Sequence, residues 1–294
     1  WDDRAYLIEN ARIHGPLGTS LSSIWTGSYF RQYAPVHLSL LAGLYSAFGT
    51  EPFWYHLAQL LLHSACVCML YFLLQKLESP RIALLTALLF VVYPPNVENV
   101  AWVSETKSTL AFLFFLLSFW FFLRFEEHER RIDAFVCAVL LTFSLLSKLS
   151  TVVAPLIFFL YDWHRGRRLN NKRIWLYAAL SLICVLLGVV HFIASREGSL
   201  RVPTTLWDAA LTDMSPAAAL QSGGYFGGLR VHLLNLPFLL LFYLRSVVIP
   251  YPLSVWHMFR VYGELNWKVG LGWISLLGLI WLLYRSPRRL QFWQ

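Results

Sequence analysis

Nine side chains in this sequence have the types to act together on a phosphate and a hydroxyl. They are the acids Asp2, Asp3, Glu98 and Glu105, the cations Arg31, Lys107 and Lys148, and the polar neighbours His37 and His56. A carboxylate can take the proton of an incoming hydroxyl. Lysine or arginine can neutralise a phosphate leaving group whose negative charge grows in the transition state. Two of the acids and one cation sit in a short polar island, Tyr93 to Lys107, with a long apolar run on either side. An ionisable cluster where two membrane spans meet is costly to hold, which makes it a functional-site hypothesis by default.

The elements that must position these residues are membrane helices. The chain is 57% hydrophobic, 17% aromatic and 14% charged, values for a polytopic membrane protein and outside those of a soluble domain. Trp54 to Gln75, Ile82 to Tyr93, Leu110 to Leu123, Ile132 to Ser147, Thr151 to Tyr161, Ile174 to Ile193, Leu234 to Ile249 and Val269 to Tyr284 approach the roughly 20 apolar residues of a spanning helix, some of them falling short. They lack the alternation of a β-barrel strand, so the expected class is all-α. The formal net charge of +8 does not indicate nucleic acid, because the basic residues gather in brief loops between the runs, as the positive-inside rule produces. Lys76 with Arg81, then Arg124, Arg130 and Arg131, then Arg165, Arg167, Arg168, Lys172 and Arg173 form three clusters, all placed in the cytoplasm. Each pair of clusters encloses a hairpin that surfaces outside, the first at Pro94 to Ser108 and the second at Ser147 to Ser150. The island and Lys148 therefore share the outer face.

The same accounting puts residues 1–53 outside as a first loop, in which Val36 to Phe48 covers only about 20 Å as a helix and is expected to lie flat at the interface. A chain that begins outside with Trp1-Asp2-Asp3 implies a missing first span and hence a fragment. Residues 54–194 form the core bundle and 195–233, polar and rich in Gly, Pro and Ala, an outer loop. Residues 234–294 hold the last hydrophobic segments, and whether 234–249 spans or lies at the interface stays open, since Arg245 interrupts the run and Pro250 and Pro252 end it.

Cys66, Cys68, Cys137 and Cys184 lie within apolar runs without metal-ligand spacing and read as inert packing residues. No phosphate-binding loop, dinucleotide fingerprint or nucleophile elbow occurs. The outer-face residues suit transfer of a sugar from a polyprenyl phosphate whose lipid tail lies between the spans, with no cofactor required; a divalent metal is compatible with this but not needed if the cations hold the phosphate. Each residue has a plainer reading too. Asp2 and Asp3 can be solvated boundary residues, Glu98 and Glu105 can favour a helix N-terminus, and Lys148 can snorkel to the interface.

The order Asp2-Asp3 with Tyr6 and Asn10, Tyr33-Ala34-Pro35-Val36-His37-Leu38-Ser39, Phe48-Gly49, Tyr55-His56-Leu57 with His63, Tyr93-Pro94 through Glu98, Ala101-Trp102-Val103-Ser104, Lys107, Leu146-Ser147-Lys148 and Leu160-Tyr161-Asp162-Trp163 resembles the membrane part of bacterial TPR-linked glycosyltransferase-like proteins. These are similar to the transmembrane and tetratricopeptide repeat-containing O-mannosyltransferases. The resemblance covers residues 1–165 well and the rest loosely. It implies a GT-C-like helical bundle with extracytoplasmic loops and interfacial helices, in the multi-pass setting of a bacterial inner membrane. It further implies transfer of a sugar such as mannose from a polyprenyl-phosphate donor to a hydroxyl acceptor such as protein Ser or Thr. The acid of the first outer loop, usual base or acceptor-positioning group in such enzymes, maps onto Asp2 or Asp3. Tyr93-Pro94 stands where relatives often have His-Pro, and Glu105-Thr106-Lys107 where they often have Arg-Lys followed by Asp. Two non-enzymatic alternatives are a transporter or flippase for lipid-linked saccharide and a membrane scaffold; a transporter should show an inverted repeat and polar residues at the membrane midplane, and neither is visible in the sequence.

Overall fold

The computed structural model of the chain describes residues 2–30, 32–167, 169–197, 224–249 and 267–285. Among them the protein is helical, with no strand beyond an isolated bridge between Tyr29 and Gln32. The chain divides into two units, Trp1–Leu200 and Arg201–Gln294. In the first, the helices are α1 (Asp2–Leu7), α2 (Leu17–Trp25), α3 (Pro35–Phe48), α4 (Pro52–Leu77), α5 (Pro80–Val92), α6 (Asn96–Ala101), α7 (Thr106–His128), α8 (Arg131–Ser147), α9 (Ala154–His164) and α10 (Asn171–Glu197). Tight 3-10 turns, Val103–Glu105 and Leu149–Val153, lead into α7 and α9.

Proline sets most of the boundaries. Pro35, Pro52 and Pro80 open α3, α4 and α5, where a missing N–H leaves no bond unmade and φ is already helical. Pro94 and Pro95 then stop α5, since the residue before a proline is pushed out of the helical region. At the end of α3, Gly49 takes a φ of 61° and returns its N–H to Tyr45 O at 2.8 Å, a left-handed cap that suits glycine.

Among the described residues, three of the eight apolar runs correspond to helices long and apolar enough to cross a membrane: Pro52–Leu77, Val103–His128 and Asn171–Ala194. α5, with 13 residues, rises only about 20 Å, short of the hydrocarbon thickness. With these helices and no strand among the described residues, the chain is an all-α polytopic membrane protein. Half of the apolar stretch of α7 is buried, against 17% of that of α4 and of α10, so α7 is the central helix of the first unit. Leu84, Leu85, Leu88 and Leu89 of α5, like Leu182, Val185 and Leu186 of α10, are exposed. Such a surface is a liability in water and needs no cover in lipid.

α7 packs against α8 and α4. Phe119 and Phe122 of α7 stack on Phe158 of α9 at centroid distances of 5.1 and 4.7 Å, within a core that includes Leu141, Leu145 and Leu180. Small polar residues tie α7 to α8, Ser118 Oγ donating to Cys137 O at 2.9 Å and Ser144 Oγ to Ala111 O at 2.6 Å, the interhelical bonding that lipid-embedded helices favour. The cysteines are unpaired thiols, and all but Cys68 are buried. A second core of Tyr6, Ile13, Ile24, Leu38, Leu41, Tyr55 and Val103 joins the N-terminal helices to the heads of α4 and α7. α3 packs on α4, α7 and α8.

In the second unit, α11 (Gly224–Val248) carries Pro237 in its interior and begins well before Leu234, and α12 (Trp267–Arg285) packs against it. A Cβ on Gly272 would lie 3.3 Å from the Phe238 ring, so the crossing uses a small residue to bring the helices close. The outer loop read from residues 195–233 lies largely outside the described residues, as do the arginines at 288 and 289.

Candidate active site at the head of α7

The first amide groups of a helix have no partner inside it, and its N-terminus carries partial positive charge. At the head of α7 this need is met from the start of the chain: Asp3 Oδ1 accepts the Ser104 N–H at 2.7 Å, which docks α1 on the 103–105 turn. The next residue is Glu105. Its carboxylate accepts from Lys148 Nζ at 3.1 Å, forms an ion pair with Lys107 Nζ at 3.3 Å, and takes a short hydrogen bond from Ser108 Oγ. Lys148 Nζ also donates to Ser108 Oγ at 2.6 Å.

Local backbone geometry explains the convergence. Lys148 occupies the break between α8 and the following turn, with extended φ and ψ of −158° and 130°, so its side chain is not bound to the direction of either helix. Glu105 and Ser108 are three residues apart at the helix start and share a face. The Lys107 side chain is 7% exposed and that of Lys148 36%, so one cation is set into the protein and the other reaches its surface. Lys107 Nζ lies 5.1 Å from the Tyr6 ring centre, a cation–π contact. Burial, with the negative charges of Asp2 and Glu105, holds the Tyr6 phenol well above its ordinary pKa.

Tyr6 stacks on Phe30 at 5.2 Å, and Tyr29 OH donates to Ala5 O at 2.6 Å. Phe30 takes a φ of 48°, a left-handed conformation uncommon outside glycine and concentrated at functional sites. His37, in the first turn of α3, is fully buried with its ring 5.6 Å from that of Tyr6. Among the described residues neither ring nitrogen makes a hydrogen bond, though the Val103 main chain approaches the ring. Burial above all, and then the charge of Lys107, push its pKa down to about 3. The ring is therefore neutral, and it lies behind the ion pairs with no surface of its own.

The residues singled out by sequence thus have distinct placements. Glu105, Lys107 and Lys148 form one cluster, with Asp3 bonded to the adjoining turn, His37 beneath and Asp2 exposed at the start of α1. Glu98 is exposed on α6, and His56 is exposed on α4 beside the buried Tyr55. Arg31 lies outside the described residues. Asn10 is buried, and its Oδ1 accepts from the Arg12 N–H at 3.2 Å, a turn-forming bond. Ser104 enters the sequence reading only as the end of the Ala101-Trp102-Val103-Ser104 stretch, and Ser108 is not among its candidates. The spacing of three between Glu105 and Ser108 is the one signal that could have found the second of them. Among the described residues, no group of three or more His, Cys, Asp and Glu is placed to hold a metal ion.

Two lysines, a hydroxyl and nearby carboxylates can hold an anionic phosphate and receive a proton. Human protein O-mannosyl-transferase TMTC4 is 28% identical, the match covering 40% of this chain and 19% of that protein. Human and mouse protein O-mannosyl-transferase TMTC1 are each 36% identical across 24% of this chain and 8% of their own length. The chain thus spans about a fifth or less of the length of the curated relatives it matches. No solved structure matches. The profile of the dolichyl-phosphate-mannose-protein mannosyltransferases matches residues 32–191, more than half of the sequence, from just before α3 through most of α10, and the chain belongs to that family.

Proposed function

We propose that the chain is the membrane part of a GT-C glycosyltransferase that moves a sugar such as mannose from a polyprenyl-phosphate carrier to a hydroxyl acceptor such as protein Ser or Thr, on the extracytoplasmic face of a bacterial inner membrane. The acceptor oxygen attacks the anomeric carbon, and its proton passes to Asp2 or Asp3. The bond between that carbon and the phosphate oxygen breaks, and the electron pair leaves with the polyprenyl phosphate, whose charge Lys148 and Lys107 meet. Glu105 holds the two lysines together, Glu98 orients acceptor or sugar, and Arg31 is a third candidate cation for the phosphate. The observation that carries this reading is the bond from Ser104 N–H to Asp3, because it brings the N-terminal acids beside the turn on which Glu105 gathers both lysines. The family and the names of its relatives support mannose and a protein acceptor. Sidedness is supported by the basic clusters at the far end of α7, since basic loops stay in the cytoplasm.

The test is transfer from mannosyl-phosphoryl-polyprenol to a Ser/Thr peptide by protein in nanodiscs. Lys148→Ala is expected to lower kcat by roughly a hundredfold or more, the scale of losing one preorganised charge partner of a leaving group. Asp2→Asn and Asp3→Asn together are expected to do the same. Normal turnover by the lysine variant, at normal expression, would strip Lys148 of its part in holding the phosphate, and normal turnover by the double variant would strip the N-terminal acids of theirs as base.

A further inference from the structure

The three donors on Glu105 are the set that a phosphate group requires. Lys107 Nζ, Lys148 Nζ and Ser108 Oγ supply two positive charges and a hydroxyl, and all three are directed at one carboxylate. They are unequal in mobility. Lys107 is set into the protein under the Tyr6 ring, whereas Lys148 is over a third exposed, so an anion from outside meets Lys148 first. Glu105 itself is 17% exposed in its side chain and heads the helix by way of a single 3-10 turn, so its carboxylate is not sealed away from an incoming anion.

Resting on the proposed sugar transfer, we infer that Glu105 is the resident anion of the phosphate cradle, displaced when the donor phosphate binds and competing to expel the phosphate product. The charges give this a direction. With Glu105 in place the two lysines leave the cradle at a net charge of +1; a phosphodiester donor carries one negative charge, while a phosphomonoester product carries about 1.5 to 2 at neutral pH. Repulsion by a neighbouring carboxylate scales with the charge of the ligand, so Glu105 disfavours the product more than the donor. The lysines alone would retain the product. Ser108 serves first as a donor to Glu105 and then as a donor to the phosphate.

The test measures binding of farnesyl phosphate, a monoester, and its methyl ester, a diester, to the full chain in nanodiscs. Glu105→Gln keeps the shape and removes the charge. It is expected to bind the monoester roughly tenfold or more tighter than the wild type, with a smaller gain for the diester. Equal or weaker monoester binding by Glu105→Gln, or an equal gain for both ligands, overturns the inference. Lys148→Ala separates this inference from the proposed transfer: if it binds both ligands as the wild type does, or if no variant binds either, the phosphate site itself fails and this inference with it. Should Glu105→Gln not fold, difference infrared spectra of the wild type decide the matter. Saturating farnesyl phosphate must then shift the band of the lysine-paired carboxylate, and an unchanged band overturns displacement.

Discussion

His37 illustrates what burial does to one residue. A base whose folded pKa is about 3 and whose unfolded value is near 6.5 binds a proton in the unfolded chain first, so stability rises with pH between those values. The protein is at full stability, as far as this group is concerned, above about pH 6.5. It loses about 1.4 kcal/mol per pH unit well below that value until the folded state also protonates. Tyr6, Lys107, Glu105 and Lys148 surround the ring, and the lysines add to the penalty for charging it. The expected outcome is a thermal midpoint that falls between pH 7 and pH 5 more steeply in the wild type than in His37→Gln; parallel slopes would mean that the ring titrates freely. Sequence points to His37 as a polar neighbour of the site and gives no sign that it is sealed in. The depth of a side chain depends on what α1 and Tyr6 lay over it, and that is decided by contacts far apart in the chain. Asp3 is similar: the family resemblance marks it as a candidate acid of the first loop, but its bond to Ser104 needs the docking of α1 to become visible.

At the scale of elements, prolines and charges can be read while helix rotation cannot. Pro35, Pro52, Pro80 and Pro94-Pro95 mark boundaries because ring geometry acts locally, and the spacing of the basic loops is what leads one to expect Lys148 on the same face as the island, where it meets Glu105. α4, by contrast, is apolar nearly all round and exposes Phe53, Trp54, Leu60 and Leu61 alike, so its pattern names no inner face. This is why His56 emerges on the outside while Tyr55 and Gln59 point inward. Gln59 is fully buried, its Nε2 donating to Thr109 Oγ1 at 2.9 Å and to Asn99 O in a short bond, and so it fastens α4 to α7 and α6. Gln59→Leu keeps the volume and leaves the Asn99 carbonyl only the long donation from Thr109 Oγ1 at 3.5 Å, which should cost about 1–3 kcal/mol. Because Thr109 serves the same link, Gln59→Leu with Thr109→Val should cost less than the two single changes added together. Additive losses in denaturant unfolding would show that no shared network exists.

For the first unit as a whole, the ends of α7 divide the charge chemistry, since a helix of 23 residues separates them by about 34 Å. The end opposite Glu105 collects residues of each basic cluster: Lys76 pairs with Glu127 at 2.8 Å, Arg124 with Asp133 at 3.1 Å, and Arg167 and Arg173 with Glu126 at 2.6 and 2.7 Å. Asp162, part of the family-like Leu-Tyr-Asp-Trp stretch, belongs here, accepting from Tyr177 OH at 2.8 Å. Glu126 has a side chain with no exposure and fastens the link between α9 and α10 to α7, whereas the pair of Glu129 and Lys172 nearby stands largely in the open. Removing one partner of a buried pair leaves an uncompensated charge and costs about 3–5 kcal/mol, whereas an exposed, solvent-screened partner contributes little. Glu126→Ala should therefore lower the unfolding midpoint sharply and Glu129→Ala barely, although both acids meet basic residues of the same cluster. Where Glu126→Ala remains folded at low temperature, binding of farnesyl phosphate at the distant Lys148 should match the wild type, because screening over such a distance leaves no direct interaction. Equal destabilisation by the two substitutions would show that burial does not govern this network, and a loss of ligand binding in the folded Glu126 variant would show that the two ends of α7 are coupled through the helix rather than independent.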